Sequence, residues 1–292
     1  MEIGVQTIGY GKFIDERQAA KLVAQAGFTV LDYWLEEESF LKLPKKEFKK
    51  HFEDMRKHIN ECGLTVGQTH APFYPYSKHM QNYDEVLELQ KRSIAATAFL
   101  GAKYVIVHPL RPKNRVFDQA IEETFELNKM YYKEFIPLME EYDVNICIEN
   151  LYTADENKFV IPSTCSTAEE MVMYIDKFGD RFYACIDTGH VNLVHREGYE
   201  HVNFKHMMKI LGDRLKTLHV HDNNGLVDQH YIPYLGTIDW NEFVDALRDN
   251  NYDGNLSLES FTFMNKINRD NIDEGLKMMY MAAKRLYDRF VR

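Results

Sequence analysis

The chain has 292 residues, of which 45% are hydrophobic and 27% are charged, a composition typical of globular proteins. Its formal net charge of −10 disfavours nonspecific nucleic-acid binding, which needs a basic face, and no apolar run is long enough to cross a bilayer. The amino terminus, MEIGVQTIG, lacks the basic start and apolar core of a signal sequence, so we expect a cytoplasmic protein without a membrane partner.

Strand-like and helix-like segments alternate along the whole chain. The predicted strands, in chain order, cover residues 2–7, 29–33, 64–69, 104–107, 145–148, 183–186, 216–220 and 256–258. The predicted helices cover residues 15–26, 45–61, 83–100, 118–142, 168–178, 201–211, 240–249 and 272–290. Gly27, Gly63 and Gly101 follow the first three helices, as C-capping glycines do. Short, nearly continuous apolar strands are typical of parallel sheets that are covered on both faces.

The number of strand–helix units decides between two architectures. An open, doubly wound sheet would show the same alternation, but no G-x-G-x-x-G run follows a strand, and eight units are those of a closed barrel. No linker or composition break divides the chain. We therefore predict one (β/α)8 TIM barrel domain over residues 1–292. We expect all four cysteines to be reduced, with Cys147 and Cys185 in apolar strands as core residues.

Residue types that bind metals stand where six consecutive apolar strands end. They are His70, His108, Glu149, Asp187, His219 and Glu259. Because active sites of (β/α)8 barrels are built at the carboxyl ends of the strands, a barrel would gather these side chains around one axis. Grouped carboxylates repel one another unless a cation neutralises them, and this ligand mixture suits Mn, Co or Zn, less typically Mg. We predict a divalent metal site at the mouth.

Five sequence runs carry a family resemblance. They are CIEN, CIDTGH, LKTLHVHD, VDQHYIPYLGTIDW and YDGNLSLES. Together they resemble the xylose-isomerase-like barrel superfamily, in order and over nearly the whole chain. That group contains sugar isomerases, ketose epimerases, an inosose dehydratase and endonuclease IV-type enzymes that cut at abasic sites. The resemblance implies one divalent ion held by Glu149, Asp187, His219 and Glu259. His221 competes with His219 for this role, and the run LKTLH favours His219.

Resemblance to the ketose epimerases implies proton transfer on a sugar or sugar phosphate. The metal would chelate a carbonyl and a neighbouring hydroxyl and stabilise a cis-enediolate, while Glu149 and Glu259 remove and return the proton. His190 would hydrogen-bond the substrate or orient Asp187. The other predicted substrate-binding residues are His70, His108, Trp34, Asp228 and His230, with Phe73 and Tyr74 as further candidates for the pocket wall. One feature departs from the ketose 3-epimerases, because Asn224 or Gly225 stands where they carry a substrate-binding arginine.

Resemblance to endonuclease IV implies a different reaction. Its zinc-ligand positions fall on His70, His108, Glu149, Asp187, His190, His219, Asp228, His230 and Glu259, and each holds the required residue type. Filling them would add zinc ions and allow phosphodiester hydrolysis by a metal-bound hydroxide. The first loop, VQTIGYG, lacks that family's histidines, and an acidic run at Glu36, Glu37 and Glu38 would repel a phosphate backbone. A basic group at Arg111, Lys113 and Arg115 favours a phosphate ligand.

These observations favour a metal-dependent sugar isomerase or epimerase over the other activities of the superfamily. An inosose-dehydratase-like lyase and a three-zinc endonuclease remain the alternatives. The expected partner is a small sugar or sugar phosphate rather than nucleic acid, and family analogy implies a homo-oligomer. The sugar, the carbon that reacts and the metal are left open by the sequence.

Overall fold

The computed structural model describes residues 1–7, 14–35, 38–74, 81–111, 120–155, 157 and 159–292. Its strands, in chain order, are β1 (Ile3–Gln6), β2 (Val30–Trp34), β3 (Thr65–His70), β4 (Tyr104–Ile106), β5 (Asn145–Glu149), β6 (Tyr152–Ala154), β7 (Val160–Pro162), β8 (Phe182–Asp187), β9 (Leu215–His219) and β10 (Leu256–Leu258). Eight of them form one parallel sheet in the order β10-β1-β2-β3-β4-β5-β8-β9, while β6 and β7 form a separate antiparallel hairpin.

The sheet closes on itself between β9 and β10. Val220, directly after β9, bridges in parallel to Leu258, and its N–H donates to the carbonyl of Ser257 at 2.8 Å. The predicted (β/α)8 barrel is therefore confirmed. Strands β5 and β8 pair directly, so the β6–β7 hairpin is an insertion at the carboxyl end of β5.

Helices cover the outside of the sheet. They are α1 (Glu16–Ala26), α2 (Glu38–Leu41), α3 (Lys45–Glu61), α4 (Tyr83–Leu100), α5 (Ile121–Lys133), α6 (Ile136–Tyr142), α7 (Ala168–Phe178), α8 (Thr188–Val194), α9 (Phe204–Leu211), α10 (Trp240–Asp249), α11 (Phe261–Asn265) and α12 (Ile272–Phe290). Gly27 and Gly101 end α1 and α4 in the left-handed conformation, as predicted. None of the helices described is both long and apolar enough to span a membrane.

Three parts of the helix prediction were wrong. The segment 118–142 is not one helix: α5 ends at Lys133 and α6 begins at Ile136, because Pro137 has no backbone N–H to continue the hydrogen-bond ladder. Helix α9 begins at Phe204 rather than His201, since Asn203 caps it by accepting the N–H of His206 at 2.8 Å. The short helices α2, α8 and α11 were not predicted, and α8 follows β8 without a loop.

The cysteines behave as expected from their apolar surroundings. Cys147, Cys165 and Cys185 are buried, Cys62 is half-buried, and all four are free thiols. Burial raises the pKa of the Cys185 thiol to about 11, so this group is neutral near pH 7.

Candidate metal centre

The carboxyl ends of the parallel strands bring together the polar side chains singled out in the sequence. His70, Glu149, Asp187 and His219 are the last residues of β3, β5, β8 and β9, and Glu259 directly follows β10. All five are buried. Burying this many ionisable groups in one place is costly unless they are paired with one another or with a metal.

His219 lies between two glutamates. Its Nδ1 is 3.0 Å from Oε2 of Glu149 and 3.4 Å from Oε2 of Glu259. At its other edge, Nε2 is 3.1 Å from Oδ2 of Asp32. Among the described residues, neither ring nitrogen has an oxygen in hydrogen-bond alignment. An imidazole nitrogen that faces two carboxylates in a buried space fits a divalent cation, which would neutralise both acids.

Asp187 approaches the same space from the neighbouring strand. It lies directly opposite His219 in the parallel register of β8 and β9. Asp187 is also the N-cap of α8, where its Oδ1 accepts the N–H of His190 at 2.8 Å. Ligand atoms of Glu149, Asp187 and His190 all lie within 4.8 Å of one another. Glu149 thus lies close both to Asp187 and to His219, and His219 is also close to Glu259.

His221 and His219 face different partners, although only one residue separates them. Nε2 of His221 lies 2.9 Å and 3.0 Å from the two oxygens of Asp187, and 3.8 Å from Oδ1 of Asp228. His219 instead faces Glu149 and Glu259. Of the two histidines, His219 therefore has the geometry of a ligand to a cation between the glutamates.

A second group of ionisable side chains lies beside the first. Nε2 of His230 is 2.9 Å and Nε2 of His190 is 3.6 Å from Oδ2 of Asp228. The hydroxyl of Tyr152, on the β6–β7 hairpin, donates to the same carboxylate oxygen at 3.3 Å. Together with His221, the residues His190, Asp228 and His230 offer ligand atoms that all lie within 4.8 Å of one another. Because Asp228 is partly exposed, this group lies between the buried centre and the solvent.

A third group shares Glu149 with the first. Nε2 of His108 lies 3.0 Å from Oε2 of Glu149 and 3.1 Å from Nε2 of His70. Nδ1 of His70 lies 2.7 Å from the carbonyl oxygen of Ala71 and donates to it, because a carbonyl oxygen can only accept. Glu149 is therefore the side chain at which the first and third groups meet.

The two glutamates have opposite pKa shifts in the absence of a cation. Burial raises the pKa of Glu259 above its usual range, and His219 and His230 do not fully offset this. Burial acts in the same direction on Glu149, but its interactions with His108 and His219 outweigh burial and hold its pKa well below the usual range. Glu149 is thus the stronger acid of the pair.

Protonated histidines supply the compensating charge. Burial opposes protonation of His230, but Asp228 raises its pKa to about 9. Burial also opposes protonation of His190, but the negative charge of Asp187 outweighs burial. The pKa of His190 therefore rises well above its usual value. At His108 burial prevails and lowers the pKa to about 4. A bound cation would neutralise the carboxylates in place of the protonated histidines, so its binding would release protons from these histidines.

Aromatic side chains lie against the site histidines. The ring centroids of Trp34 and His70 are 4.6 Å apart, and those of Phe73 and His108 are 5.2 Å apart. Both aromatic residues are half-buried, so part of each ring is available to a ligand. Tyr74 is buried against the core, and together with Phe73 and His108 it lines a small cavity.

Only part of the predicted charged loops can be placed. Arg111 donates from Nη1 to the carbonyl of Tyr152 at 2.7 Å, and its guanidinium lies 5.0 Å from the centre of the Phe73 ring. It therefore lies at the edge of the mouth. Lys113, Arg115, Glu36, Glu37 and the side chain of Glu38 lie outside the described residues.

A layer of polar side chains beneath the strand ends was missed in the sequence. Gln6 donates from Nε2 to Oε1 of Glu259 at 3.0 Å, and Gln68 donates from Nε2 to Oδ2 of Asp32 at 2.8 Å. Asp32 is a polar interruption in the apolar strand VLDYW, and Gln6 is the polar last residue of the strand IGVQ. That interruption was a usable signal, because an inward-facing polar group in a barrel needs a partner.

Asn150, which follows β5, was also missed as a site residue. Its side-chain oxygen accepts the N–H of Asp187 at 2.7 Å, and its amide donates to the carbonyl of Asp187 at 3.1 Å. Its own carbonyl lies 2.8 Å from Nδ1 of His190. Asn150 therefore holds the end of β8 against the end of β5. The adjacency of Asn150 to Glu149 in the CIEN run was the only sequence signal for this role.

A cavity of about 1160 Å³ lies elsewhere, on the outer surface between α3, α4 and α6. Its lining residues include the apolar Phe48, Phe99 and Leu138 and the basic Lys45 and Arg92. It contains none of the side chains from the strand ends. The chemistry-bearing residues therefore define the site better than cavity size does.

The fold and the motifs agree with a comparison against known families. Residues 20–281 match the family model described as a xylose isomerase-like TIM barrel, so the chain belongs to that family. The resemblance read from the five sequence runs is therefore confirmed. This membership defines a class of barrels and leaves the individual activity open.

Particular relatives point to more than one activity. The protein y4fM of Sinorhizobium fredii, itself uncharacterized, is 25% identical over 277 residues, or 84% of this chain and 80% of y4fM. A D-psicose 3-epimerase of Enterocloster bolteae is 32% identical over 130 residues, or 44% of this chain and 38% of the epimerase. A probable endonuclease 4 of Bacillus licheniformis is 26% identical over 200 residues, or 63% of this chain and 62% of the endonuclease.

Among solved structures, the IolI protein with a bound zinc atom has a similar fold. Its TM-score is 0.77 at 16% identity, and the alignment covers 99% of each chain. A D-psicose 3-epimerase crystallised in the presence of D-fructose gives a TM-score of 0.71 at 15% identity, over 98% of this chain and 99% of the epimerase. At such identities the likeness concerns the fold.

Proposed function

We propose that this protein is a divalent-metal-dependent isomerase or epimerase of a sugar or sugar phosphate. One observation carries the proposal: two buried glutamates from β5 and the end of β10 converge on the same nitrogen of His219, at 3.0 Å and 3.4 Å. Two carboxylates that flank one space can remove a proton from carbon and return it from another side. The epimerase relative and the zinc-bound IolI barrel support this reading.

Four residues of the chain fit a divalent metal. Glu149, Asp187 and Glu259 supply carboxylate oxygens, and His219 supplies a ring nitrogen, a set suited to Mn, Co, Zn or Mg. When bound, such an ion acts as a Lewis acid that polarises a carbonyl and makes the neighbouring C–H bond more acidic.

The protein's own groups then handle the proton. One of Glu149 and Glu259 accepts it through a carboxylate oxygen, and the other donates a proton from the opposite side of the reacting carbon. Return to the same carbon with inverted configuration is epimerisation, and return to the adjacent carbon is isomerisation. Loss of a neighbouring hydroxyl after the same first step would give the dehydratase reaction, which is the closest alternative chemistry.

Surrounding side chains would bind and orient the sugar. His190, Asp228 and His230 lie beside the metal site and offer hydrogen-bonding groups to hydroxyls. His70 and His108 offer further nitrogen atoms on the Glu149 side. The half-exposed rings of Trp34 and Phe73 suit the apolar C–H face of a sugar ring.

Proton exchange with solvent tests the function without knowledge of the product. The metal-loaded protein is incubated in D₂O with a panel of ketoses, aldoses and their phosphates, and the recovered sugars are examined by NMR. We expect deuterium at the carbon next to the carbonyl of one sugar class. A panel in which no sugar exchanges or changes configuration would argue against an isomerase or epimerase.

Removal of the His230 side chain should weaken substrate binding more than metal binding. His230→Ala deletes one hydrogen-bonding group from the second cluster, and the loss of about 1.4 kcal/mol corresponds to a roughly tenfold higher KM. Metal content, measured by elemental analysis, should stay at the wild-type value. The exposed His201→Ala is the matched control. Loss of a whole metal equivalent in His230→Ala would instead favour the endonuclease reading.

A second candidate function, the three-zinc abasic-site endonuclease, has specific support. The groups His70–His108–Glu149 and His190–Asp228–His230 supply the additional metal-ligand types that such a site needs. The endonuclease 4 relative points the same way. The net charge of −10 weighs against it, because DNA binding depends on neutralising phosphates. Cleavage of an abasic duplex by zinc-loaded protein, with Glu149→Gln as the inactive control, would establish this candidate.

A further inference from the structure

The ring of His221 occupies a notch in the first turn of α8. A Cβ atom built on Gly189 would lie 1.9 Å from Cε1 of His221 and 2.6 Å from each of its ring nitrogens. Gly189 is not among the residues with positive φ, so its backbone conformation does not demand glycine. Glycine is required at position 189 by the His221 ring instead, since any larger residue there would occupy the space of the ring.

Two further contacts fix His221 in this notch. The Thr188 hydroxyl accepts the backbone N–H of His221 at 3.0 Å and donates to its carbonyl at 2.7 Å. In addition, the ring of His230 stacks on that of His221, with centroids 3.8 Å apart and planes 16° apart. The side chain is fully buried. The position of His221 is thus determined by packing and backbone together.

The fixed ring is directed at the carboxylate of Asp187. Nε2 of His221 lies 2.9 Å and 3.0 Å from its two oxygens, and the hydrogen-bond geometry to Oδ2 is good. Neither Glu149 nor Glu259 has an oxygen within 4.0 Å of a His221 ring nitrogen, whereas both lie within 3.4 Å of His219. His221 is therefore turned toward one ligand of the metal site and away from the two glutamates.

We propose that His221 is a positioning residue that holds the Asp187 carboxylate in the orientation from which it binds the metal. This inference rests on the metal site proposed above. It also explains the DTG run: Asp187 is the ligand, Thr188 fixes the backbone of His221, and Gly189 makes room for its ring. Hydrogen bonds to the carboxylates that bind a metal commonly determine their orientation, and their loss costs about 10- to 100-fold in metal affinity.

Cobalt binding tests the positioning role independently of any substrate. Chelator-stripped protein is titrated with Co²⁺, and the affinity and visible absorption spectrum are measured. We expect His221→Ala to lower the affinity about 10- to 100-fold, with an unchanged spectrum at saturation because the ligands are the same. His221→Gln, which can keep a donor near Asp187, should recover part of the affinity, and His201→Ala should match the wild type.

Several outcomes would overturn the role. Wild-type affinity in His221→Ala would mean that the contact does not position Asp187. A changed spectrum at saturation would make His221 a ligand rather than a positioning residue. If the wild type bound no Co²⁺, both the proposed metal site and this inference would be wrong. If the wild type bound Co²⁺ but exchanged no sugar proton, only the proposed function would be wrong.

A double-mutant cycle of thermal stability in the metal-free protein tests the packing of His221 against Gly189 independently of metal binding. Gly189→Ala should lower the Tm of the wild type by several degrees, because its Cβ meets the ring. In the His221→Ala background the same change should be neutral or raise the Tm, since alanine favours a helix over glycine. Equal effects in both backgrounds would contradict the packing argument. If either glycine variant failed to fold, the cobalt titration of His221→Ala would still decide the role.

Discussion

Replacing Glu149 with glutamine is expected to reduce turnover about 10²- to 10⁴-fold, the range for loss of a general acid or base. Glutamine keeps the size of the side chain but cannot accept the proton, and it is a poorer metal ligand. Glu149 also contacts His108 at 3.0 Å, His219 at 3.0 Å and His190 at 3.3 Å, so the change affects all three side-chain groups. Turnover is measured on the sugar found by deuterium exchange.

The control for this variant is Glu53→Gln, an exposed glutamate on α3 that pairs only loosely with Lys49 at 3.7 Å. It should retain wild-type turnover, because an exposed pair of this kind contributes little. The metal-free Glu149→Gln protein should unfold cooperatively near the wild-type Tm. Retained turnover in Glu149→Gln would rule out the two-glutamate mechanism.

Replacing Asp222 with alanine is expected to destabilise the protein by about 3–5 kcal/mol, because it leaves several buried donors without an acceptor at about 1–3 kcal/mol each. Asp222 is fully buried, two residues after Val220, whose bridge to Leu258 closes the barrel. Its carboxylate accepts the backbone N–H of Tyr234 at 3.0 Å and of Ile238 at 3.3 Å, and the indole N–H of Trp240 at 3.0 Å. Alanine would leave these donors buried without an acceptor.

Chemical denaturation of metal-free protein measures this effect. Asp249→Ala is the matched control, because Asp249 is exposed in the last turn of α10, where a negative charge is mildly unfavourable. It should leave the denaturation midpoint unchanged or slightly higher. A loss below about 1 kcal/mol in Asp222→Ala would mean that the segment after β9 does not depend on this carboxylate.

The barrel was predictable because its signal is periodic and local. Each apolar strand is followed by an amphipathic helix, and a polar ligand type marks the strand end, as at Glu149 and Asp187. The division of the predicted helix 118–142 was also readable, since Pro137 cannot donate the hydrogen bond that would continue it.

Contacts between distant strands were not predictable in the same way. Gln6 contacts Glu259 across 253 positions of sequence, and nothing near either residue indicates the other. Likewise, the different directions of His219 and His221 depend on the turn from β8 into α8 and on the space left by Gly189. Alternation along a strand places residues two apart, such as His219 and His221, on the same face, so it does not predict that they meet different partners.

The most direct test of the account is the metal content of the folded chain. Protein purified without chelator or added metal is analysed for elements, and the result is expressed per chain. The account predicts about one divalent ion per chain, bound by the four ligands at the strand ends and lost with His219→Ala. A chain that holds no divalent ion, even after exposure to Mn²⁺, Co²⁺ or Zn²⁺, would contradict it, and two or three zinc ions would favour the endonuclease.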